Sequence, residues 1–268
     1  MTVRVRFSKF GRLRFLGHLD VLRFVQKCFA RSGLPIAYSE GFHPHMLISF
    51  AQPLSLSMTS DGEYFDCEMT EPVPPDEIKN RLNEVLCDGF YIQSVSVLPE
   101  RGPNERKITG MSQIAGAMYL CRCDREIADI VDAGLRKLAA SDSYIMEKQA
   151  KNGMKEVDVR AGIHAVGIVH EDGNIEYPVR DNQFEVPESL TDGFGRAHSE
   201  HAENPDGCYS VVLCLDAGSE NNISTDLIAS ALNHICNTDY ERMFLSHRME
   251  LYGKKDGTMV PLEILNQR

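Results

Sequence analysis

The residues with the widest chemical repertoire crowd into one short stretch. It runs Lys9-Phe-Gly-Arg12-Leu-Arg14-Phe-Leu-Gly-His18-Leu-Asp20 and brings cations, an imidazole and a carboxylate close together in the chain. His18 and Asp20 have the chemistry of a general acid/base pair or of two metal ligands. An acid in the first turn of a helix also suits the helix dipole, and capping is the preferred reading of Asp20. A second cluster follows, Tyr38-Ser-Glu-Gly-Phe42-His43-Pro-His45. Gly41 opens backbone conformations closed to other residues, and Pro44 restricts His43 before it. Tyr38 and Phe42, beside cations, would offer stacking faces to RNA bases, with His43 as a polar reader; Phe42 fits a core position as well. Zinc needs three or four well-placed ligands, which two histidines across a proline do not supply, so no metal is expected.

The cations extend beyond these clusters. Arg4, Arg6, Lys9, Arg12, Arg14, Arg23, Lys27 and Arg31 stand against one acid, Asp20, in the first 31 residues, within a chain of net charge −11. An acidic body with a basic end points to a local anion-binding face rather than to indiscriminate nucleic-acid binding. Arg23, Lys27 and Arg31 fall at i, i+4 and i+8, on one helix face with no acid at i±4 to neutralise it. Arg4, Arg6, Arg12 and Arg14 would project from the strands leading into that helix. Such a surface suits phosphates, since sequence-independent nucleic-acid affinity comes from Lys and Arg.

The elements that must position these groups are legible as alternating periods. Val3, Val5 and Phe7 alternate with Arg4 and Arg6, a strand with a basic outer face, and Arg12 to Phe15 resumes the alternation after Gly11. Leu19 to Ser32 switches to helical spacing with Leu22, Val25 and Phe29 inward, stopped by Gly33 and Pro35. Ile36 to Leu56 reads as strand and loop, Glu63 to Met69 as strand, Pro75 onward as helix, and Tyr91 to Leu98 as strand. This βαββαβ order is that of a ferredoxin-like unit. Pro99 to Gly110 has Pro, Gly and charge without apolar period, as a linker would. A second unit follows: strand 114–123, helix 126–139, a hairpin of 144–149 with 156–160 around Asn152-Gly153, strand 209–215, helix 224–235 and strand 242–252. Residues 171–207 hold ten acids against two arginines and read as an exposed acidic insertion. The expected fold is therefore α+β, two ferredoxin-like units in tandem. The units are residues 1–99 and 113–268, joined by 100–112, with the second decorated by 171–207.

Composition narrows the class. Hydrophobic residues make up 43% of the chain, enough for a packed core. No apolar run approaches the ~20 residues of a membrane span, and Met1 to Ala30 lacks the apolar run of a secretion signal, so a cytoplasmic protein is expected. In that setting the eight cysteines are expected to be reduced, mostly core residues. No CxxC occurs, nor the three-cysteine run that holds the cluster of a radical SAM enzyme, and no cofactor is expected.

The N-terminal pattern is similar to a known signature. Lys9-x-Gly11-x-x-Arg14-Phe15-Leu16-Gly17-His18-Leu19-Asp20, then Arg23, Arg31, Leu34-Pro35, Tyr38-Ser39-x-Gly41-Phe42-His43-Pro44 and Phe50-Ala51-x-Pro53-Leu54, closely resembles the radical SAM-linked protein family, a bacterial family of unknown function. In the second half, Lys155-Glu-Val-Asp158-Val-Arg160 resembles a further element of that family, though Ala161 follows where Pro is usual. The resemblance implies an accessory to a radical SAM enzyme with a cobalamin-binding part, encoded nearby or fused. A shorter likeness joins Asp158-Val-Arg160-Ala-Gly-Ile-His164-Ala to a motif of tRNA pseudouridine synthases, which also use two ferredoxin-like units. There the catalytic Asp directly precedes Ala-Gly. Here Arg160 holds that place and Asp158 lies two residues earlier, about 6–7 Å away along a strand.

Three functions follow as expectations. The first is a substrate-presenting RNA-binding module for a radical SAM enzyme, with the eight basic residues, Tyr38, Phe42 and His43 as its surface. The second is a protein-interaction subunit that docks on that enzyme without RNA. The third is a stand-alone RNA-modifying enzyme drawing on His18, Asp20, His43 or Asp158.

Overall fold

Val3, Val5 and Phe7 form the apolar face of a strand, β1 (Thr2–Lys9). The computed structural model that shows this describes residues 1–100, 109–150, 153–170, 175–181, 208–219 and 221–266. After β1 the chain makes a short 3-10 turn at Gly11–Phe15. Arg12 and Arg14 therefore lie in a turn, not in a resumed strand. Gly11 enters it at φ 57°, a region that favours glycine. Helix α1 (His18–Ser32) buries Val21, Val25, Cys28 and Phe29 and stops at Gly33, which adopts φ 65°. Of the stretch 36–56, only β2 (Ile48–Phe50) is a strand. Then come β3 (Thr59–Glu68), α2 (Pro75–Val85) and β4 (Phe90–Val97). Pro75 opens α2 where its missing N–H costs nothing, and Ile78 and Leu82 face the core.

The end of the expected linker is ordered. Thr109 caps a single helical turn, α3 (Gly110–Gln113), through Ser112, and the Gly110 N–H donates to Asp66 Oδ2 at 2.8 Å. Residues 101–108 lie outside the described part. The second half runs β5 (Ile114–Cys123), α4 (Ala128–Ala140), β6 (Ile145–Ala150), β7 (Gly153–Asp158), β8 (Ile163–Val169), β9 (Ile175–Arg180), β10 (Tyr209–Asp216), α5 (Thr225–Cys236), β11 (Leu245–Lys255) and β12 (Thr258–Pro261). β6 and β7 pair as the expected hairpin, Ile145 opposite Asp158, although Asn152 itself is outside the described residues. The acidic segment is only partly described. Its residues 175–181 include β9, which pairs with β8 at the sheet edge rather than standing apart.

The result is an α+β fold built on one large sheet, ordered β4-β1-β3-β11-β5-β10-β8-β9, with β2 on β3 and β12 on β11. Within each half the pairing is antiparallel, β4-β1-β3-β2 in the first and β11-β5-β10-β8 in the second. Phe7, Phe65, Phe29, Ile78 and Leu82 pack as one core with α1 and α2. Tyr119, Cys121, Leu213, Val131 and Ile228 pack as another with α4 and α5. Alternate residues of the same strands, Met118, Leu120, Val212 and Cys214, are buried in a third cluster. β5 and β10 are thus covered on both faces, which explains their continuous apolar runs. Among the described residues no disulfide joins the eight cysteines; five are buried and Cys87 is exposed.

The halves meet where β3 runs parallel to β11, Thr59 opposite His247 and Ser60 opposite Arg248. β3 is buried from Thr59 to Cys67, so its charged residues have no water to face. Arg248 grips Glu63 in a bidentate pair, Nε to Oε1 at 2.7 Å and Nη2 to Oε2 at 2.6 Å. His247 lies 3.1 Å from Asp61 Oδ2 and 2.8 Å from Thr59 Oγ1. Tyr64 donates to Glu250 at 2.6 Å, and Arg6 meets the other oxygen of Glu250 at 3.0 Å. The close approach depends on Gly62, where an added Cβ would stand 2.4 Å from Glu250 Cα. The substitution Gly62→Ala is expected to cost about 3 kcal/mol in urea denaturation, the upper end for overpacking, because the clash is with backbone. A cost below ~1 kcal/mol would show that the seam can open without penalty.

Candidate functional site

The basic segment divides into two groups. Arg4, Arg6 and Lys9 face inward. Arg4 is 1% exposed, with Nε and Nη2 on Asp66 at 2.8 and 3.0 Å and Nη1 on the Leu262 carbonyl at 3.3 Å. Arg6 is held by Glu250 and Glu263, each at 3.0 Å. Lys9 is buried and donates to the Leu16 carbonyl at 3.0 Å; burial pulls its ammonium below the usual lysine range. The expected basic outer face of β1 is therefore corrected. β1 lies between β3 and β4, and the face read as solvent-facing carries ion pairs to distant parts of the chain.

The other cations remain at the surface. Arg12, Arg23, Lys27 and Arg31 are exposed, and Arg14 is half-buried with its guanidinium 4.7 Å from the centre of the Phe15 ring. Arg23 meets Asp20 at 3.2 Å, so the helix face does carry one acid, at i−3 rather than i±4. Both partners are more than half exposed, and the pair adds little to stability. Arg31 donates to the Val85 carbonyl at 2.9 Å and braces the end of α2. Asp20 lies in the first turn of α1, where a carboxylate suits the helix dipole, but the N-cap is Gly17 and no side chain caps the helix by a hydrogen bond. His18 sets its ring edge-on to Phe50, 5.3 Å between centroids. No hydrogen bond or ion pair joins His18, Asp20 and His43 among the described residues.

The loop 38–45 is closed on itself. The Ser39 N–H donates to the His45 carbonyl at 2.8 Å, the His45 N–H to Ser39 Oγ at 3.1 Å, and Ser39 Oγ lies 2.8 Å from His45 Nδ1. At its tip Gly41 takes φ 111°. Phe42 stands fully exposed there, beside exposed His43, and Tyr38 is 52% exposed. Phe15, Leu19 and Leu56 also present apolar surface, and the Ser57 N–H bond to the Arg14 carbonyl brings Leu56 near Phe15.

Asp158 is a structural carboxylate. It accepts from the N–H groups of Tyr144, Arg160 and Ala161 at 2.9, 3.0 and 3.3 Å and from the Ser143 hydroxyl at 2.8 Å. The Tyr144 N–H leads in holding its pKa below the ordinary 3.8. It ties the base of the β6–β7 hairpin.

A cleft of about 730 Å³ lies elsewhere, at the ends of β5, β8, β10 and β11. His164, Asp216, Asn221 and Lys254 line it, with Gln113 and Asn266 at one side. His164 Nε2 lies 2.7 Å from Asp216 Oδ1, and its Nδ1 is 3.5 Å from Asp181 Oδ2. Asn221 Nδ2 donates to the second Asp216 oxygen at 2.7 Å. The Asp216 hydrogen bond leads in raising the His164 pKa above 6.5, against burial. Burial works to raise Asp216, but the bonds from His164 and Asn221 and the charges of His164 and Lys254 outweigh it and keep the carboxylate ionised. These residues come from segments far apart in sequence, so no spacing could have joined them. The one local signal is His164, within the Asp158–His164 stretch.

Among the described residues, no group of three or more His, Cys, Asp or Glu is arranged to hold a metal ion, and no helix is long and apolar enough to cross a membrane.

The raised His164 pKa has a definite sign in stability. The contribution is full below 6.5, while the carboxylates remain ionised, and is lost as pH rises through the raised value. Wild type is expected to exceed a His164→Gln variant in urea resistance at mildly acidic pH, with the gap narrowing at alkaline pH. A gap that widens with pH would contradict the assignment.

A family model described as uncharacterised proteins conserved in bacteria, DUF2344, matches residues 2–186. No curated protein matches the chain.

Proposed function

We propose that this chain, which belongs to the DUF2344 family of uncharacterised bacterial proteins, is an RNA-binding accessory module that presents substrate to a radical SAM enzyme. One observation carries the RNA part. The ring of Phe42 stands wholly in solvent on a loop held shut by the hydrogen bonds between Ser39 and His45. A large apolar ring held out by an ordered loop is a stacking platform for an unpaired base. Tyr38 and His43 flank it in the same loop, and Arg12, Arg23 and Lys27 supply exposed positive charge in the same half. Arg4 and Lys9, both buried, and Arg6, half-buried and ion-paired, take no part. The radical SAM partner rests on the resemblance of the N-terminal signature alone.

We read each half as a ferredoxin-like unit, residues 1–99 and 113–268. The reading is supported by the two antiparallel strand orders and by the helices placed between the strands. A second reading, docking on the enzyme without RNA, is favoured by exposed Phe15, Leu19 and Leu56.

The test is binding of single-stranded RNA followed by fluorescence anisotropy across a salt series. Phe42→Ala is expected to weaken binding by about 5- to 150-fold, the range for losing one stacked base. The double variant Arg23→Ala, Lys27→Ala is expected to lower the slope of log K against log salt by roughly 1–2. No RNA affinity, together with a purified enzyme complex whose absorbance ratio shows no nucleic acid, would replace this reading by the docking one.

A further inference from the structure

We propose that the cleft bounded by His164, Asp216 and Lys254 binds a nucleoside monophosphate. Its volume, about 730 Å³, falls in the range of small-molecule sites. Three features define the ligand. The first is a clamped carboxylate. Both oxygens of Asp216 already accept a protein donor, from His164 and from Asn221, which fixes the group in place. Each oxygen keeps a further lone pair for a ligand donor. A ligand ammonium would meet the adjacent imidazole, itself biased toward its cation, so neutral donors are preferred. A vicinal diol supplies two such donors, and a fixed carboxylate is a known way to hold ribose hydroxyls.

The second feature is a cation. Lys254 is exposed at the cleft, near enough to Asp216 to favour its ionised form. Among the described residues its ammonium makes no hydrogen bond or ion pair. A lysine ammonium is a point charge suited to phosphate, whereas planar carboxylates favour the arginine fork. The third feature is an apolar wall of Ile114, Met259 and Leu265, against which a flat base can lie. Diol to Asp216, phosphate to Lys254 and base to the wall together describe a ribonucleotide.

His164 positions this site rather than reacting in it. Both of its ring nitrogens face carboxylates, Asp216 and Asp181. The cleft is separate from the loop that carries Phe42, so the two proposals can fail independently.

The test uses calorimetric titration of the full chain with adenosine 5′-monophosphate, adenosine and inorganic phosphate. Adenosine 5′-monophosphate is expected to bind, and inorganic phosphate more weakly. Lys254→Gln, an exposed substitution outside the core, is expected to weaken the nucleotide by at least about tenfold and to leave adenosine unchanged. Asp216→Asn is expected to weaken both, and Phe42→Ala neither. A 5′-phosphorylated tetraribonucleotide separates the sources. Competition with the mononucleotide identifies an RNA end, and failure to compete identifies a free nucleotide. Absence of mononucleotide binding at millimolar concentration, or binding that neither cleft variant alters, overturns the proposal.

Discussion

The fold depends on how charge is buried where β3 meets β11. A parallel contact registered by only two residue pairs is a short joint for a sheet of this size. The joint is reinforced by side chains. Arg248 with Glu63, His247 with Asp61, and Arg6 with Glu250 span the two strands or their neighbours, nearly out of reach of water. Buried pairs of this kind often add little net stability over an apolar filling, because desolvation offsets the attraction. Breaking one is a different matter. A lone buried charge is left behind, at a cost of about 3–5 kcal/mol. Any slip of β11 along β3 would strand several charges at once. The network therefore sets register more than it adds stability.

A second set of buried bonds reaches the cleft. Arg4 holds Asp66 and also donates to Gln113 Oε1 at 2.9 Å. Gln113 exchanges hydrogen bonds with Asn266 at 2.9 and 3.2 Å, and both side chains border the cavity. Asp66 in turn receives the Gly110 N–H. One wall of the cleft is thus hung from the first half, while His164, Asp216 and Lys254 come from the second. The halves must hold one arrangement for that cavity to keep its shape. The Phe42 loop, by contrast, is closed by its own Ser39–His45 bonds.

Much of this was legible in the sequence. The helices announced themselves through apolar stripes such as Val131, Leu135 and Leu138, and through the stop at Gly33. The β6–β7 hairpin and the strands β5 and β10 followed from local alternation and apolar runs. The error at Arg4 and Arg6 has a plain cause. Apolar and basic residues in alternation describe a half-solvated strand unless acids from elsewhere cover the basic face. Here those acids are Asp66, Glu250 and Glu263, and the last two sit near the far end of the chain. The cleft was hidden for the same reason. His164 and Asp216 are 52 residues apart, and only strand order brings them together. Local period reveals elements, but long-range pairing decides which charges remain at the surface.

The most direct test of the seam is cooperativity of unfolding. Scanning calorimetry of wild type and of Arg248→Met, compared with the van't Hoff enthalpy from circular dichroism, reads it. Coupling of the halves through the seam predicts a single transition for wild type, with calorimetric and van't Hoff enthalpies equal. It predicts that Arg248→Met, which leaves Glu63 buried without its partner, lowers the midpoint and splits the transition into two. Two transitions already present in wild type, or a variant that melts as one unit at an unchanged midpoint, would contradict it.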